Sequence, residues 1–170
     1  MKKPRKVYVM DTTAFIAGSY ALSLNSTCFT TNYVVNELKD KESYSKLEAA
    51  RIMGKLLIKD PSENSLSKIK EISYKLGMLH KLSKADLSIL ALSYELKKGG
   101  YEPIILTDDY SVMNIAKELN LEFKPLRTKG ITKVARLIKY CPACGRTFRN
   151  NITHCPICGS KLRSKLLKKS

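Results

Sequence analysis

Five carboxylates stand at positions where the sequence predicts that they meet. Asp11 follows the apolar run KVYVM, and the pair Asp108–Asp109 follows a second run, PIILT. Glu37 lies in the predicted helix after CFTT, and Asp86 lies in the first turn of another predicted helix. If both apolar runs are parallel strands, their carboxyl ends share the sheet edge at which α/β proteins bind ligands. All five carboxylates can then converge at that edge.

A carboxylate cluster predicts a bound cation, because like charges repel unless a cation lies between them or some of them bind protons. Carboxylate oxygens are hard ligands of the kind that Mg²⁺ and Mn²⁺ prefer. Such an ion lowers the pKa of bound water and stabilises charge on a phosphodiester oxygen, and a second ion about 4 Å away can stabilise the leaving oxygen. The pattern therefore indicates metal-assisted phosphodiester hydrolysis.

Each carboxylate also has an ordinary structural interpretation. Asp86 fits a capping box with Ser83, and Asp11 can cap the helix TTAF. Asp108 can cap the helix that starts near Tyr110, with Asp109 favourable to its dipole, and a helical glutamate can simply be solvated. We favour a site because the structural interpretation needs separate coincidences at one edge.

Four of the five cysteines form two Cys-x-x-Cys knuckles separated by ten residues, in CPACGRTFRNNITHCPICG. This spacing predicts a tetrahedral four-thiolate site for structural zinc, with iron as the alternative. The remaining cysteine, Cys28, stands in an apolar stretch and is expected in the core. Phe148, between the knuckles, either packs under the metal site or stacks on a base. The predicted metal ligands are Cys141, Cys144, Cys155 and Cys158.

Positive charge is concentrated in the last quarter of the chain. The formal net charge is +16, and residues 124–170 hold 13 Lys and Arg with no Asp or Glu, against 18 and 15 in residues 1–123. Such a segment attracts polyanions, so nucleic acid is the expected partner. Acidic lipid is less favoured because no basic amphipathic helix accompanies the cysteines. Basicity kept for solubility alone is the remaining interpretation.

Several classes of protein are disfavoured by what the sequence lacks. Two histidines leave little material for a Ser-His-Asp triad, and neither common glycine-rich phosphate loop occurs. No apolar segment approaches the roughly 18 residues that span a bilayer. The start, MKKPRKVYVMD, has four apolar residues before Asp11 and indicates no export signal, so we expect a cytoplasmic protein.

Short apolar strands alternate with helices over the first three quarters of the chain. Strands are predicted at KVYVM, STCFTT, LIKDPS, EPIILT and EFKPL, with helices at TTAFIAG, NYVVNELKDK, YSKLEAARIMGKL, SENSLSKIKEISYKLG, KLSKADLSILALSYELKKGG and DYSVMNIAKELN. This alternation is typical of an α/β fold with a mostly parallel sheet covered by helices. We expect a nuclease-like domain over 1–125, a basic linker over 126–138, a zinc ribbon over 139–163 and a basic tail over 164–170 that is frayed without a partner.

The motifs VYVMDTTAFIAG, VVNEL, SKADLSILALSYEL and ILTDDYSVMNIA, in this order, resemble a PIN-domain nuclease. With the ribbon CPACGR…HCPICGSKL behind them, the chain resembles the archaeal type of the Nin-one-binding endonuclease family from about Val7 to Leu162. The resemblance implies a PIN-like parallel sheet sandwiched by helices, plus a small C-terminal zinc ribbon. It also implies a single-strand endoribonuclease, dependent on Mn²⁺ or Mg²⁺, that cleaves the 3′ end of precursor small-subunit (16S) rRNA during ribosome biogenesis.

The resemblance also implies roles for particular residues. One or two Mn²⁺ or Mg²⁺ ions would be held by Asp11, Glu37, Asp86 and the Asp108–Asp109 pair, of which the direct ligand stays open. Thr107 would be a neighbouring hydroxyl, and the four ribbon cysteines would hold one zinc. The implied partners are precursor rRNA and the small ribosomal subunit, with assembly factors as further candidates. The residues expected to hold RNA are Arg127, Lys129, Lys133, Arg136, Lys139, Arg146 and Arg149.

Two other functions stay open on the sequence. A toxin-type PIN ribonuclease acting on transfer or messenger RNA would not need the ribbon. A non-catalytic RNA-binding assembly factor would bind RNA without cutting it.

Overall fold

A five-stranded parallel sheet forms the centre of the molecule. The computed structural model describes residues 4–18, 20–127, 135–149 and 152–168. The neighbouring strands are all parallel, in the order β3-β2-β1-β4-β5. The strands are β1 (Arg5–Met10), β2 (Cys28–Thr30), β3 (Leu56–Ile58), β4 (Tyr101–Leu106) and β5 (Glu122–Lys124).

The strand order places a topological switch point between β1 and β4. From β1 the chain builds outward through β2 to β3, and it then returns to add β4 and β5 on the other side of β1. Met10 and Leu106, the last residues of β1 and β4, are register partners. In open α/β sheets this is the position at which ligands bind.

Over the described residues, seven α-helices accompany the sheet, which confirms the predicted α/β class. Thr31, Ser62 and Ser83 act as N-caps, as their side chains predict. The longest helix, α6, is buried nearly all round from residue 87 to 92, because it packs on α3, α5, α7, β1 and β4. The helices are α1 (Thr12–Ala17), α2 (Tyr20–Ser23), α3 (Asn32–Glu37), α4 (Lys41–Ile52), α5 (Glu63–Lys75), α6 (Lys84–Lys98) and α7 (Tyr110–Glu118), with a 3₁₀ turn at Leu79–Lys81.

The predicted helix over residues 44–56 is displaced in the structure. It begins earlier, at Lys41, because the side chain of Asp40 caps it by accepting from the N–H of Ser43 at 2.7 Å. It ends at Ile52, since Gly54 turns the chain with φ +67° and residue 56 already pairs with β2. Helical spacing alone did not show this stop.

A second, antiparallel sheet follows, in the order β7-β6-β8. Its strands are β6 (Ala135–Tyr140), β7 (Thr147–Phe148) and β8 (Arg163–Lys168). The prediction that the basic tail is frayed is wrong over residues 164–168, because β8 pairs with β6 along its length. Strand β6 likewise begins inside the predicted linker, whereas the domain bounds themselves stay a prediction.

Strand β6 packs against the end of α5. Leu137 is buried in the main core, and its N–H donates to the carbonyl oxygen of Leu76 at 3.1 Å. Gly77 allows this approach, since a Cβ there would lie 2.3 Å from the carbonyl oxygen of Leu137 and its φ is +69°. Within the described residues, no helix is both long and apolar enough to cross a membrane.

Candidate active site and cysteine metal centre

Asp11 lies at the switch point, directly after β1, and is 4% exposed. Its Oδ2 accepts hydrogen bonds from Oγ1 of Thr107 at 2.6 Å and of Thr13 at 3.2 Å. Its Oδ1 accepts from the N–H of Thr12 at 2.6 Å, so Asp11 also caps α1. Burial raises the pKa of Asp11 to about 6, the Thr107 bond opposes this rise, and the charge of Asp86 adds to it.

Asp86 and Glu37 approach this edge from two helices. Asp86 forms the predicted capping box, with Oδ2 accepting from the N–H of Ser83 at 2.7 Å. Burial raises the pKa of Asp86, the hydrogen bonds from Ser83 oppose the rise, and the charges of Asp109 and Glu37 add to it. Glu37 is exposed, and its Oε2 accepts from Oγ1 of Thr12 at 3.3 Å.

The two adjacent aspartates after β4, Asp108 and Asp109, accept hydrogen bonds from different parts of the chain. Asp109 caps α7, with Oδ1 accepting from the N–H groups of Ser111 and Val112, and its charge acts on Asp86. The expectation that Asp108 caps this helix is wrong. One carboxylate oxygen of Asp108 accepts instead from the N–H groups of Leu126 and Arg127, at 2.8 and 2.9 Å.

The structure thus places four of the five predicted carboxylates so that three of them interact electrostatically with the fourth, Asp86, and Asp108 is bonded to the chain after β5. The four are Asp11, Glu37, Asp86 and Asp109. None of these four forms an ion pair with a lysine or arginine among the described residues, whose ion pairs lie along α4 and α5. The donor set fits a hard divalent cation.

Two of the hydroxyls that bond to this cluster, those of Thr12 and Thr13, were not predicted from the sequence. Thr12 and Thr13 bond to Glu37 and Asp11 as described above, and Oγ1 of Thr13 also accepts from the N–H of Asp108 at 3.2 Å. In the sequence they are the two threonines directly after Asp11, the aspartate that follows β1. Thr107, expected as a neighbouring hydroxyl, links both strand ends, because its Oγ1 also accepts from the N–H of Asp109 at 3.0 Å.

The four predicted cysteine ligands form a compact cluster. Their Sγ atoms all lie within 4.8 Å of one another, with 3.4 Å between Cys141 and Cys158 and 3.6 Å between Cys144 and Cys155. Tetrahedral zinc with bonds of about 2.3 Å places its sulfurs about 3.8 Å apart. The geometry therefore fits one metal ion. Among the described residues, the carboxylates form no group as compact as this one.

The two knuckles share one backbone design. The N–H of Gly145 donates to the carbonyl oxygen of Cys141, and that of Gly159 to Cys155, both at 2.9 Å. Both glycines have positive φ, 71° and 69°, which residues with a Cβ rarely adopt. Phe148 packs beside the buried Cys141 and Cys155, as its structural interpretation predicts. Cys28 is buried in the main core, as predicted.

The basic residues expected to hold RNA differ in availability. The guanidinium of Arg127 donates to the carbonyl oxygen of Ile16 at 3.2 Å, close to the carboxylate edge. Nζ of Lys139 bonds to Ser164, and Nε of Arg136 is buried without a hydrogen bond in the described structure. Arg146 and Arg149 are exposed on the ribbon, whereas Lys129 and Lys133 lie outside the described residues.

Comparison with known proteins identifies the family. A family model for the PIN domain of ribonuclease matches residues 8–96. The endoribonuclease Nob1 of Pyrococcus abyssi is 40% identical over 141 residues, which cover 83% of this chain and 81% of that protein. The chain belongs to the Nob1 endoribonuclease family. It is therefore an endoribonuclease of the PIN class, whose members use divalent metal ions.

Other relatives show how far the Nob1 likeness extends. The 20S-pre-rRNA D-site endonuclease NOB1 of Saccharomyces cerevisiae is 36% identical over 94 residues, which cover 54% of this chain and 20% of that protein. Ribonuclease VapC3 of Aeropyrum pernix is 37% identical over 126 residues, 74% of this chain and 90% of that protein. The PIN match includes Asp11, Glu37 and Asp86, whereas Asp108–Asp109 and the cysteines lie beyond it.

Proposed function

We propose that this Nob1-family endoribonuclease cleaves single-stranded precursor rRNA at the 3′ end of the small-subunit (16S) sequence. The observation that carries the proposal is the convergence of Asp11, Glu37, Asp86 and Asp109 at the switch point, where none of them forms an ion pair with a lysine or arginine of the described residues. The choice of substrate rests on the Nob1 relatives, one of which is named for a pre-rRNA site. Its setting is then ribosome biogenesis on the small subunit.

One or two Mn²⁺ or Mg²⁺ ions fit between these carboxylates. Mg²⁺ commonly takes one or two protein carboxylates and keeps several waters, so the looser spacing of the acids suits it. When bound, such ions supply a hydroxide-like nucleophile and offset the charge that develops on the phosphate. We expect products with 5′-phosphate and 3′-hydroxyl ends.

The side chains around the acids orient them for this role. Thr107 and Thr13 fix Oδ2 of Asp11, and the capping box fixes Asp86. The N–H groups at the start of α7 hold Oδ1 of Asp109, which leaves Oδ2 without a hydrogen bond among the described residues. We assign Asp109 as the direct ligand of the pair. Asp108 then positions the segment at 126–127, and with it the guanidinium of Arg127.

The ribbon supports substrate binding in this proposal. One structural zinc on the four cysteines folds the knuckles, because their own apolar cluster contains, among the described residues, only Cys141, Cys155 and Leu162 with two half-buried neighbours. Basic residues on and beside the ribbon contact phosphates, which makes RNA binding sensitive to salt. Those of the described residues are Arg127, Lys139, Arg146 and Arg149, with Arg136 a weaker candidate and Lys129 and Lys133 assigned on charge alone.

The test is cleavage of a precursor RNA that spans the small-subunit 3′ boundary, with and without Mn²⁺, followed by mapping of the ends. We expect one metal-dependent cut by the wild-type chain. Asp11→Asn should abolish the cut and preserve RNA binding in a filter assay. Cutting by Asp11→Asn at the wild-type rate, or scattered cutting by the wild-type chain, would contradict the proposal.

A toxin-type activity is the second candidate, and its support is the likeness to ribonuclease VapC3. Cleavage rates of the full chain on transfer RNA, messenger RNA and the precursor fragment separate the two. A toxin-type enzyme cuts the first or second at least as fast as the third. Membership of an endoribonuclease family leaves no support for the non-catalytic assembly factor.

A further inference from the structure

A cavity of about 260 Å³ lies where strand β6 faces the end of α5 and the 3₁₀ turn. Leu79 and Leu137 give it apolar walls, and Tyr74 lines it while remaining 58% exposed. Gly77 lets the two sides of the cavity approach each other, because only a residue without a Cβ allows the hydrogen bond between Leu137 and Leu76. The cavity is slightly smaller than the roughly 300–1,000 Å³ of typical small-molecule sites. It is therefore of a size for one planar group.

Apart from Tyr74, the polar side chains that line this cavity are basic. His80, Lys139 and Arg149 line it, and none of its described lining residues is acidic. Arg149 is exposed and forms no ion pair within the described residues, so its charge is available to an anion. An exposed aromatic ring beside apolar walls and cations suits a group that is planar and carries a phosphate.

The chain limits the distance between the cavity and the carboxylate edge. His80 precedes Asp86 by six residues, so their Cα atoms lie at most about 21 Å apart. The other wall, β6, carries the ribbon, and the chain reaches it from Arg127, which contacts α1. A strand of a few nucleotides is long enough to span this separation.

We propose that this cavity binds one unpaired nucleotide of the RNA substrate, with its base against Tyr74 and its phosphate beside Arg149 and Lys139. The proposal rests on the proposed function in needing RNA as the ligand, and it adds a second binding site that fixes the distance from the anchored nucleotide to the cut. The planar base decides between an RNA strand and an acidic peptide as the occupant. An RNA strand supplies both the planar base and the anion, whereas an acidic peptide supplies the anion alone.

The absence of tryptophan from the chain allows a direct test. Tyr74→Trp places a single indole in the cavity, and Tyr44→Trp places one on α4, where Tyr44 is 47% exposed, as the matched control. Emission is titrated with the precursor fragment in buffer without Mn²⁺ or Mg²⁺, with polyphosphate and with polyglutamate. We expect saturable quenching of Trp emission at position 74 by RNA alone, and none at position 44. Unchanged emission from position 74 at an RNA concentration that saturates filter binding, or equal quenching by polyphosphate or polyglutamate, would overturn the proposal.

Binding measurements on conservative variants provide the second test. Tyr74→Leu and Arg149→Gln should each raise the Kd for the RNA at least about fivefold, since stacking and phosphate contacts both contribute to such sites. Tyr44→Leu and Arg51→Gln on α4 should bind as the wild type does. Equal Kd values for Tyr74→Leu and Tyr44→Leu would contradict the proposal. Cutting of the precursor by the wild-type chain with Mn²⁺ reports on the proposed function separately, so the two can fail independently.

Discussion

Thr107 and Asp11 are 96 residues apart in the chain, and Oγ1 of Thr107 donates a 2.6 Å hydrogen bond to Oδ2 of Asp11. The same oxygen of Thr107 accepts from the N–H of Asp109, so one hydroxyl joins the ends of β1 and β4. It thereby orients the carboxylate of Asp11 and fixes the backbone of Asp109. Substitution of such a positioning residue should weaken metal-dependent cleavage more than it lowers the stability of the fold.

Replacing Thr107 tests that role. Thr107→Val keeps the shape and removes the hydroxyl, and we expect cleavage to fall about tenfold or more, since hydrogen bonds to charged groups contribute roughly 1.5–3 kcal/mol. The Mn²⁺ concentration for half-maximal activity should rise. Thr107→Ser, which keeps the hydroxyl, should retain most of the cleavage rate and should need nearly the wild-type Mn²⁺ concentration for half-maximal activity. Equal losses in the serine and valine variants would show that the hydrogen bond from Thr107 does not determine the loss.

The raised pKa of Asp11 makes stability depend on pH in the metal-free protein. Its folded pKa is about 6, above the ordinary value near 3.9. The folded state therefore binds the proton more tightly, and the stabilisation, on the order of 2–3 kcal/mol, is fully present below about pH 4 and lost as pH rises through 6. Asp11→Asn removes this titration, so it should be more stable than wild type at pH 7.5 and gain less at pH 4.5. Urea unfolding of both proteins at the two pH values measures the difference, and a pH-independent difference would rule out the effect.

Asp108 and Asp109 should respond differently to the same change. Asp109→Asn removes charge beside Asp86, and we expect metal-dependent cleavage to fall by about 100-fold, the scale on which single catalytic contacts act. Asp108→Asn keeps an oxygen that can accept from the N–H groups of Leu126 and Arg127, so its loss should be under about fivefold. Single-turnover rates at saturating Mn²⁺ compare the two. A larger loss from the Asp108 variant would reverse our assignment of the direct ligand.

The sequence predicted what local patterns determine. The capping box of Ser83 and Asp86, the strand that ends at Asp11 and the two knuckles all follow from residues close together in the chain. Strand order does not, and the switch point that brings Asp11 beside Thr107 was an assumption until the pairing of β1 with β4 was known. Long-range pairing also explains the errors. Residue 56 joins β2 and the basic tail joins β6, and neither partner is visible from nearby sequence.

Gly77 provides a prediction about how the two sheets are held together. A Cβ at Gly77 would lie 2.3 Å from the carbonyl oxygen of Leu137, whereas one at Gly54 would meet nothing within 4 Å. Their φ angles, 69° and 67°, are nearly equal, so the backbone strain of an alanine is the same at both. Gly77→Ala should therefore destabilise the protein by about 1–3 kcal/mol more than Gly54→Ala, in the range of overpacked sites. Thermal and urea unfolding give the comparison, and equal destabilisation would mean that β6 adjusts freely.

Removal of the metal from the four cysteines should unfold the knuckles and β7, whereas β6 should stay folded near Leu137. Cys141, Cys155 and Leu162 have too few apolar neighbours to stay folded alone, so chelation should release the knuckles and β7. Leu137 belongs to the main core and its N–H is bonded to Leu76, so β6 should keep its protection near that residue. Hydrogen exchange with and without chelator should show loss of protection at 141–160 and persistence of protection at 137, with the parallel sheet unchanged.

RNA affinity should fall over the same titration because the exposed arginines at 146 and 149 lose their fixed positions. A chelated chain that keeps slow exchange throughout 141–160 would show that the knuckles fold without metal, and the four thiols would then need another explanation.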